Sequence, residues 1–186
     1  MPAHQPALPL RPVKPMLATL GSPPGGDDWA VEMKFDGVRA IATITPAAVH
    51  LFNRDNADIT SAYPEIASGL SKINPGHGVI VDGEIVAPAA SSGRPRFDLL
   101  QQRTPIQDPP PSLQHAVPVA FYIFDLLAHR GAPIMRWPYL ERRQVLADLG
   151  LEGGALRVPP HWVDVDGEDM LRLADEHGHE ESLPKE

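Results

Sequence analysis

Residues 32–40 read Glu-Met-Lys-Phe-Asp-Gly-Val-Arg-Ala, and this stretch says more about the fold and chemistry than any other. It sets Lys34 between carboxylates, beside a glycine and a short distance before an arginine. Arg39 can hold an anion and favour the neutral lysine amine, and Gly37 leaves room for a nucleotide. The pattern therefore indicates a lysine nucleophile directed at a phosphate. The alternative is an amphipathic strand over residues 29–44, broken by an Asp-Gly turn.

A second acidic motif follows at residues 81–86, which read Val-Asp-Gly-Glu-Ile-Val. Asp-Gly between two apolar runs is a common hairpin turn, and on its own this stretch favours a turn. Its carboxylates also have the oxygen ligands that magnesium prefers. Both interpretations stay open from the residues alone.

Two strand-like segments carry further candidates for ligand binding. Residues 121–127 read Phe-Tyr-Ile-Phe-Asp-Leu-Leu, which predicts a buried strand in which one ring at the strand end could stack on a base. Residues 51–54 read Leu-Phe-Asn-Arg and end in an arginine, which on an exposed strand is more often simply solvated.

Taken together, these motifs resemble the covalent nucleotidyltransferases, the family of ATP-dependent DNA ligases, RNA ligases and mRNA capping enzymes. Residues 32–40 meet every fixed position of the family's lysine motif, and the other motifs follow in the family's order. Within that family, the likeness over residues 12–178 is strongest to the ligase domain of bacterial end-joining ligases. The resemblance implies an ATP-dependent DNA ligase adenylation domain that forms a lysyl-AMP intermediate.

The resemblance also implies roles for individual residues. Lys34 would be the catalytic nucleophile, Asp36 would orient it, and Glu84 would lie near the ribose or ligate Mg²⁺. The ring of Phe124 would cover adenine, and Asp125 beside it would be structural. The residues implied to bind the nucleotide are Glu32, Arg39, Arg54, Glu84 and Phe124. The implied cofactors are ATP and Mg²⁺.

Composition narrows the class of protein. The chain has 186 residues, 42% of them hydrophobic, which suits one domain with a real core. No apolar run is long enough for a membrane span, and there is no secretory signal, so we expect no membrane partner. The absence of cysteine excludes disulfides and cysteine zinc sites and fits the cytoplasm. The eight histidines suggest no metal site, because His177 and His179 lie in an acidic tail.

The order of the elements predicts an α+β fold of largely antiparallel sheets with packed helices. Strand patterns cover residues 29–33, 38–44, 49–54, 79–86 and 117–127. Weaker helical patterns cover residues 61–73, 96–103, 138–149 and 167–177. Because strands outnumber helices and do not alternate with them, a doubly wound fold is disfavoured. The resemblance makes this an ATP-grasp-like nucleotidyltransferase domain, with residues 97–103 and 139–143 as packing elements.

Three regions divide the chain. Residues 1–28 form a proline-rich extended head whose Met-Leu-Ala at 16–18 could dock on the core, residues 29–178 the adenylation domain, and residues 179–186 a divergent polar tail. Glu180 falls where the family's fourth-motif glutamate would lie. The apolar strand after it, the Lys-x-Lys motif and the oligonucleotide-binding barrel are missing. We therefore expect a domain incomplete at its C-terminus, with an exposed sheet edge.

These expectations leave a leading function and two alternatives. The leading one is adenylation of Lys34 for nick or end joining in DNA repair, with the joining step impaired. A free lysine has a pKa of about 10.4, so the attacking amine must first lose a proton. Nicked or broken duplex DNA would be a weakly held partner, since the net charge is −8. A further chain could supply the barrel. The alternatives are an inert or split nucleotide-binding module and an RNA ligase or capping-type transferase.

Overall fold

Two sheets organise the chain. The computed structural model describes residues 13–17, 19, 21, 29–73, 78–90, 92–167, 169, 170, 172 and 182–185, the last four as backbone only. The described strands are β1 (Ala30–Met33), β2 (Val38–Ile44), β3 (Val49–Asn53), β4 (Val79–Val86), β5 (Ala120–His129), β6 (Ala132–Pro133), β7 (Leu156–Arg157), β8 (His161–Val163) and β9 (Ser182–Lys185). The described helices are a 3-10 helix (Thr60–Ala62), α1 (Pro64–Leu70), α2 (Phe97–Leu100), α3 (Pro111–Ala116) and α4 (Tyr139–Asp148).

The larger sheet has the strand order β3-β2-β4-β5-β6, and β7 pairs with β5. The smaller sheet has the order β8-β1-β9. Every described pair of strands is antiparallel except β5 with β7. The predicted α+β fold with largely antiparallel sheets is therefore confirmed.

The two faces of the larger sheet contact different parts of the protein, because successive side chains of a strand point to opposite faces. Ala40, Ala42 and Ile44 of β2 belong to the main hydrophobic core. Ile41, between them, lies in a smaller cluster with three other buried residues. Arg39 has the same parity as Ile41, so it faces the side of the sheet away from the main core. The candidate site lies on that side.

A β-bulge in β5 sets the position of the predicted stacking ring. Asp82 pairs with Asp125 and Gly83 pairs with Ile123, which places Phe124 in the bulge between these two register positions. A bulge of this kind turns a side chain out of the regular alternation. Gly83 is required opposite it, because a Cβ there would lie 2.5 Å from the Tyr122 carbonyl oxygen. Residues 81–86 are thus strand throughout, and the hairpin-turn interpretation of Asp82-Gly83 is wrong.

The helical predictions hold in outline and fail in detail. The pattern over residues 61–73 is split into the 3-10 helix and α1, because Pro64 disfavours helical geometry at Tyr63. The predicted helix at 96–103 shrinks to α2, and the one at 138–149 is confirmed as α4. Helix α3 falls in a segment for which no helix is predicted, although Pro111 suits a first helical turn. Residues 167, 169, 170 and 172 are helical, and the rest of the predicted helix at 167–177 lies outside the described residues.

The tail contributes a strand. Strand β9 pairs antiparallel with β1 from Ala30 opposite Lys185 to Met33 opposite Ser182. The edge of β1 is therefore covered, and the outer strands of this sheet are β8 and β9. The polar composition of the tail did not predict this strand, since strand pairing uses backbone groups that every non-proline residue offers. Glu180, His177 and His179 lie outside the described residues.

Candidate active site

A cavity of about 630 Å³ is lined by residues from both sheets. Met33 comes from β1, Val38 from β2 and Glu84 from β4. All residues predicted for the site line this one cavity: Glu32, Lys34, Arg39, Arg54, Glu84 and Phe124. The sequence motifs, whose predicted site residues are spread over residues 32–124, are therefore brought together in space.

The loop at residues 34–37 carries Lys34 from the smaller sheet to the larger one. Its Phe35 ring packs edge-on against Tyr122, with ring centres 4.6 Å apart. At Gly37, a Cβ would lie 2.2 Å from the Ile85 carbonyl oxygen and 3.0 Å from Cγ of Glu84. The glycine is thus needed for the approach of the loop to β4. Gly37 also lines the cavity, so its role in making room for a nucleotide stays a prediction.

Arg39 is held by the second acidic motif. Its Nε and Nη2 donate to the two carboxylate oxygens of Asp82 at 2.6 and 2.7 Å, a bidentate pair. Its guanidinium carbon lies 4.6 Å from the centre of the Phe124 ring. Burial alone would lower the pKa of Arg39, but the hydrogen bonds and charge of Asp82 raise it. Arg39 therefore stays charged, with its guanidinium fixed beside the ring.

Glu84 lies directly opposite Arg39 in the register of β4 with β2, yet Arg39 reaches diagonally to Asp82. Burial raises the pKa of Glu84 to about 7, and the charges of Asp82 and Asp36 add to that effect against those of Arg39 and Lys34. Glu84 is thus a cavity carboxylate whose charged form the protein itself disfavours. A positive ligand would restore the charged form.

Glu32 lies in a different environment. Its Oε1 accepts a hydrogen bond of 2.5 Å from the Tyr139 hydroxyl and lies 3.7 Å from Nη1 of Arg143. Burial, followed by the charge of Glu32, raises the pKa of Tyr139, so the hydroxyl keeps its proton and donates. Although Glu32 lines the cavity, its carboxylate is engaged by residues of α4.

Arg143 ties the two sheets together. Its Nη1 donates to the carbonyl oxygen of Phe124 at 3.0 Å and its Nη2 to that of Pro159 at 2.5 Å. Its Nε lies 3.3 Å from Nδ1 of His161. Burial, then the charge of Arg143, lowers the pKa of His161, so the ring is neutral and Nδ1 accepts this bond. One buried guanidinium thus joins β1, β5 and β8 behind the cavity.

Arg54 follows β3 and is mostly solvent-exposed. Its side chain is 73% exposed, and its Nε lies 3.8 Å from a carboxylate oxygen of Asp55. At this exposure such an ion pair constrains the side chain weakly. Arg54 can therefore reorient toward an anion in the cavity.

The donor set suits magnesium in a limited way. Among the described residues, no group of three or more His, Asp or Glu side chains is arranged to hold a metal ion. Mg²⁺ needs few protein ligands, because it keeps several waters and takes phosphate oxygens. The partly buried carboxylate of Glu84, with its raised pKa and acidic neighbours, fits such a site.

Comparison with known proteins decides the family. The family model described as "ATP dependent DNA ligase domain" matches residues 12–158. The chain belongs to this family. A probable DNA ligase of Koribacter versatilis is 37% identical over 78% of the chain. DNA ligase 1 of Methanosarcina mazei is 33% identical over 76% of the chain. The end-joining protein LigD of Mycobacterium bovis is 33% identical over 92% of the chain.

Solved structures of bacterial end-joining ligases are similar to this ligase domain. Mycobacterial DNA ligase D complexed with ATP and MES superposes with a TM-score of 0.73 at 31% identity, covering 92% of the chain and 53% of that structure. The ligase domain of M. tuberculosis LigD gives a TM-score of 0.66 at 31% identity, covering 84% of the chain and 48% of that structure. The predicted resemblance to bacterial end-joining ligases is confirmed.

The chain spans 21% to 25% of the length of the three relatives named above. Within the described residues, no helix has both the length and the apolar character that a membrane span requires.

Sequence reasoning missed three residues that shape the site. Asp82 was predicted only as a member of the acidic motif, and Tyr139 and Arg143 only as packing residues. The pairing of Asp82 with Arg39 could have been suspected, because Asp82 and Glu84 share a face of β4. Nothing local in the sequence connects Tyr139 or Arg143 with Glu32.

Proposed function

We propose that this domain catalyses the adenylation half-reaction of an ATP-dependent DNA ligase, with Lys34 as the nucleophile. The supporting observation is that one cavity gathers Lys34, a carboxylate suited to Mg²⁺, an exposed arginine and an aromatic ring. Such a combination provides for the phosphates and the base of a single nucleotide. The relative solved with ATP belongs to the same family.

Each proposed contact follows the chemistry of its residue. The ring of Phe124 offers an apolar surface for adenine, and the Arg39 guanidinium beside it adds a fixed positive charge. Arg54 is free to swing toward the phosphates, which its planar guanidinium binds well. Glu32 contributes by holding β1, since its carboxylate accepts from Tyr139.

The chemical step exchanges one bond for another. The lone pair of the deprotonated Lys34 Nζ attacks the α-phosphorus of ATP, and a nitrogen–phosphorus bond forms. The bond from the α-phosphorus to the bridging oxygen breaks, and its electron pair leaves with pyrophosphate. The amine proton passes to water. The product is a lysyl-AMP phosphoramidate.

Glu84 would hold Mg²⁺ together with phosphate oxygens and water. The bound cation would neutralise charge that develops on the phosphate oxygens. The raised pKa of Glu84 then means that loading of the site should increase as the pH rises through about 7.

We further propose that the AMP is destined for the 5′-phosphate of nicked or broken duplex DNA. The relatives are named DNA ligases, and one is a multifunctional end-joining protein. With a net charge of −8, this chain has a weak electrostatic hold on DNA. A partner carrying an oligonucleotide-binding barrel would supply that hold. Nick sealing with and without such a partner tests this part.

The adenylation proposal is tested by intact mass spectrometry after incubation with ATP and MgCl₂. We expect an acid-labile AMP adduct on the wild-type protein and none on Lys34→Ala. Lys72→Ala is the matched control, because Lys72 is exposed and lies outside the cavity. It should form the adduct at the wild-type rate.

Two results would overturn the proposal. An adduct that persists in Lys34→Ala would move the nucleophile elsewhere. Binding of ATP with no adduct after long incubation would favour the alternative, a nucleotide-binding module without turnover.

A further inference from the structure

The head segment at residues 13–17 reaches the cavity and is attached to the larger sheet at two points. Val13 packs against the cluster of Ile41, Ile80, Leu127 and Ala128 on the sheet face that carries the site. The Met16 carbonyl oxygen accepts a hydrogen bond from Nη2 of Arg39 at 3.5 Å. The segment is therefore positioned by the same face that positions Arg39.

Leu17 lines the cavity even though 72% of the residue is exposed to solvent. Its neighbour Met16 is 76% exposed and does not line the cavity. A large apolar side chain held in this way leaves hydrophobic surface in water, which a ligand in the cavity could cover.

The position of Leu17 along the cavity follows from its neighbour. The Arg39 guanidinium contacts both the Met16 carbonyl and the Phe124 ring. The backbone that carries Leu17 is therefore linked through Arg39 to the part of the cavity that holds the Phe124 ring, and both Leu17 and Phe124 line this cavity. The charged groups proposed for the phosphates are Lys34, Arg54 and Glu84, whereas Leu17 and Phe124 are apolar. The apolar part of a nucleotide is its base.

We propose that Leu17 is a further ligand-contact residue of this ligase domain, and that it covers part of the purine base beside Phe124. The proposal rests on the adenylation function proposed above and deepens it. The head segment is then a wall of the nucleotide site, fixed by Val13 and by the Met16 carbonyl.

The test compares Leu17→Ala with Met16→Ala in the full chain. Calorimetric titration measures the affinity for ATP and for inorganic tripolyphosphate, which has the phosphates without the base. Intact mass spectrometry on the same samples measures adduct formation. We expect Leu17→Ala to weaken ATP binding about fivefold and to leave tripolyphosphate binding unchanged. Met16→Ala should bind both ligands like the wild type.

Adduct formation by Leu17→Ala should need a higher ATP concentration to reach half of its maximal rate, because the contact with the base is weakened. The thermal unfolding midpoint should be unchanged, since the side chain is mostly exposed.

The inference fails if Leu17→Ala binds ATP within twofold of the wild type, or if it loses affinity for ATP and tripolyphosphate equally. It fails separately from the proposed function. A wild-type protein that binds ATP without forming an adduct sinks adenylation but still tests Leu17 through binding. An adduct together with an unaffected Leu17→Ala sinks only the role of Leu17.

Discussion

Glu32 and Glu84 line the same cavity from opposite sheets, and their environments differ. The Glu32 carboxylate accepts a hydrogen bond from Tyr139 and has Arg143 close by, both within the protein interior. The Glu84 carboxylate is partly buried near other acids, and its pKa is raised to about 7. The protein supplies partners to the Glu32 carboxylate, whereas it disfavours the charged form of the Glu84 carboxylate.

The difference shows how to separate a supporting residue from a ligand-binding one in a single cavity. A carboxylate whose hydrogen bonds are supplied by the protein stabilises the structure and gains little from a ligand. A carboxylate that the protein disfavours when charged gains from a cation. We therefore infer that the cavity residues around Glu32 support the structure and that those around Glu84 bind the ligand. We call these two parts of the cavity lining the wall around Glu32, or scaffold, and the wall around Glu84, or binding surface.

The largest effect on stability is expected from Arg143→Met. It removes the guanidinium beside the Glu32 carboxylate and leaves the carbonyls of Phe124 and Pro159 without these donors. Breaking a buried charged contact of this kind typically costs about 3–5 kcal/mol. Urea denaturation measures the change in the free energy of unfolding.

Arg142→Met is the control for that variant, since Arg142 precedes Arg143 in α4. Arg142 pairs with the partly buried Asp125 of β5. We expect a smaller loss, because the pair is nearer to solvent. Equal losses of unfolding free energy for the two variants would show that the contacts around Glu32 contribute no more to stability than the pair of Arg142 with Asp125.

Glu84→Gln should increase the free energy of unfolding at high pH, whereas Arg143→Met lowers it. The raised pKa means that the folded state binds a proton at Glu84 between pH 4.5 and 7, where the unfolded chain has released it. Stability from this group is thus complete below about pH 4.5 and is lost as the pH rises through about 7. At pH 8, Glu84→Gln should be more stable than the wild type by up to about 3 kcal/mol.

Thermal unfolding between pH 5 and pH 8 tests the sign. The wild type should lose stability over this range relative to Glu84→Gln, and the difference between the two should be smallest at pH 5. Asp55→Asn, at an exposed position in the same cavity, is the control and should track the wild type. A Glu84→Gln variant that is less stable at pH 8 would contradict the assignment.

The contrast between the walls could be anticipated only in part. The motif spacing identified Lys34, Glu84 and Phe124, and the two-residue period places Asp82 and Glu84 on one face of a strand. These signals are local or belong to a motif. They were sufficient to assemble one side of the site and the α+β fold.

The rest depends on contacts that no local pattern encodes. Tyr139 lies 107 positions from Glu32 in the chain, and only the docking of α4 brings them together. The bulge that turns Phe124 toward the cavity arises from the register of β4 with β5. The pairing of β9 with β1 escaped prediction, because backbone hydrogen bonding is compatible with a polar tail.

Tyr139→Phe should have a moderate effect. It removes one hydrogen bond to Glu32 and keeps the ring, which packs edge-on against His161 with centres 5.7 Å apart. We expect a loss of about 1–2 kcal/mol in the free energy of unfolding. The affinity for ATP should be unchanged, because the hydroxyl belongs to the scaffold.

A double-mutant cycle with Glu32→Gln isolates that interaction. If the two substitutions were strictly additive, the Tyr139 hydroxyl would not act through Glu32. A loss of ATP affinity without a loss of stability would place Tyr139 on the binding surface instead.

The smallest effect on stability is expected from Arg54→Met, on the binding side of the cavity. The side chain is mostly exposed, so the free energy of unfolding should change by less than about 0.5 kcal/mol. The KM for ATP in adduct formation should nevertheless rise about tenfold, because a charged contact with phosphate is lost. Arg94→Met, exposed and outside the cavity, should change neither quantity. If Arg54→Met instead lowered stability and left the KM unchanged, Arg54 would belong to the scaffold, and the division of the cavity into two walls would fail.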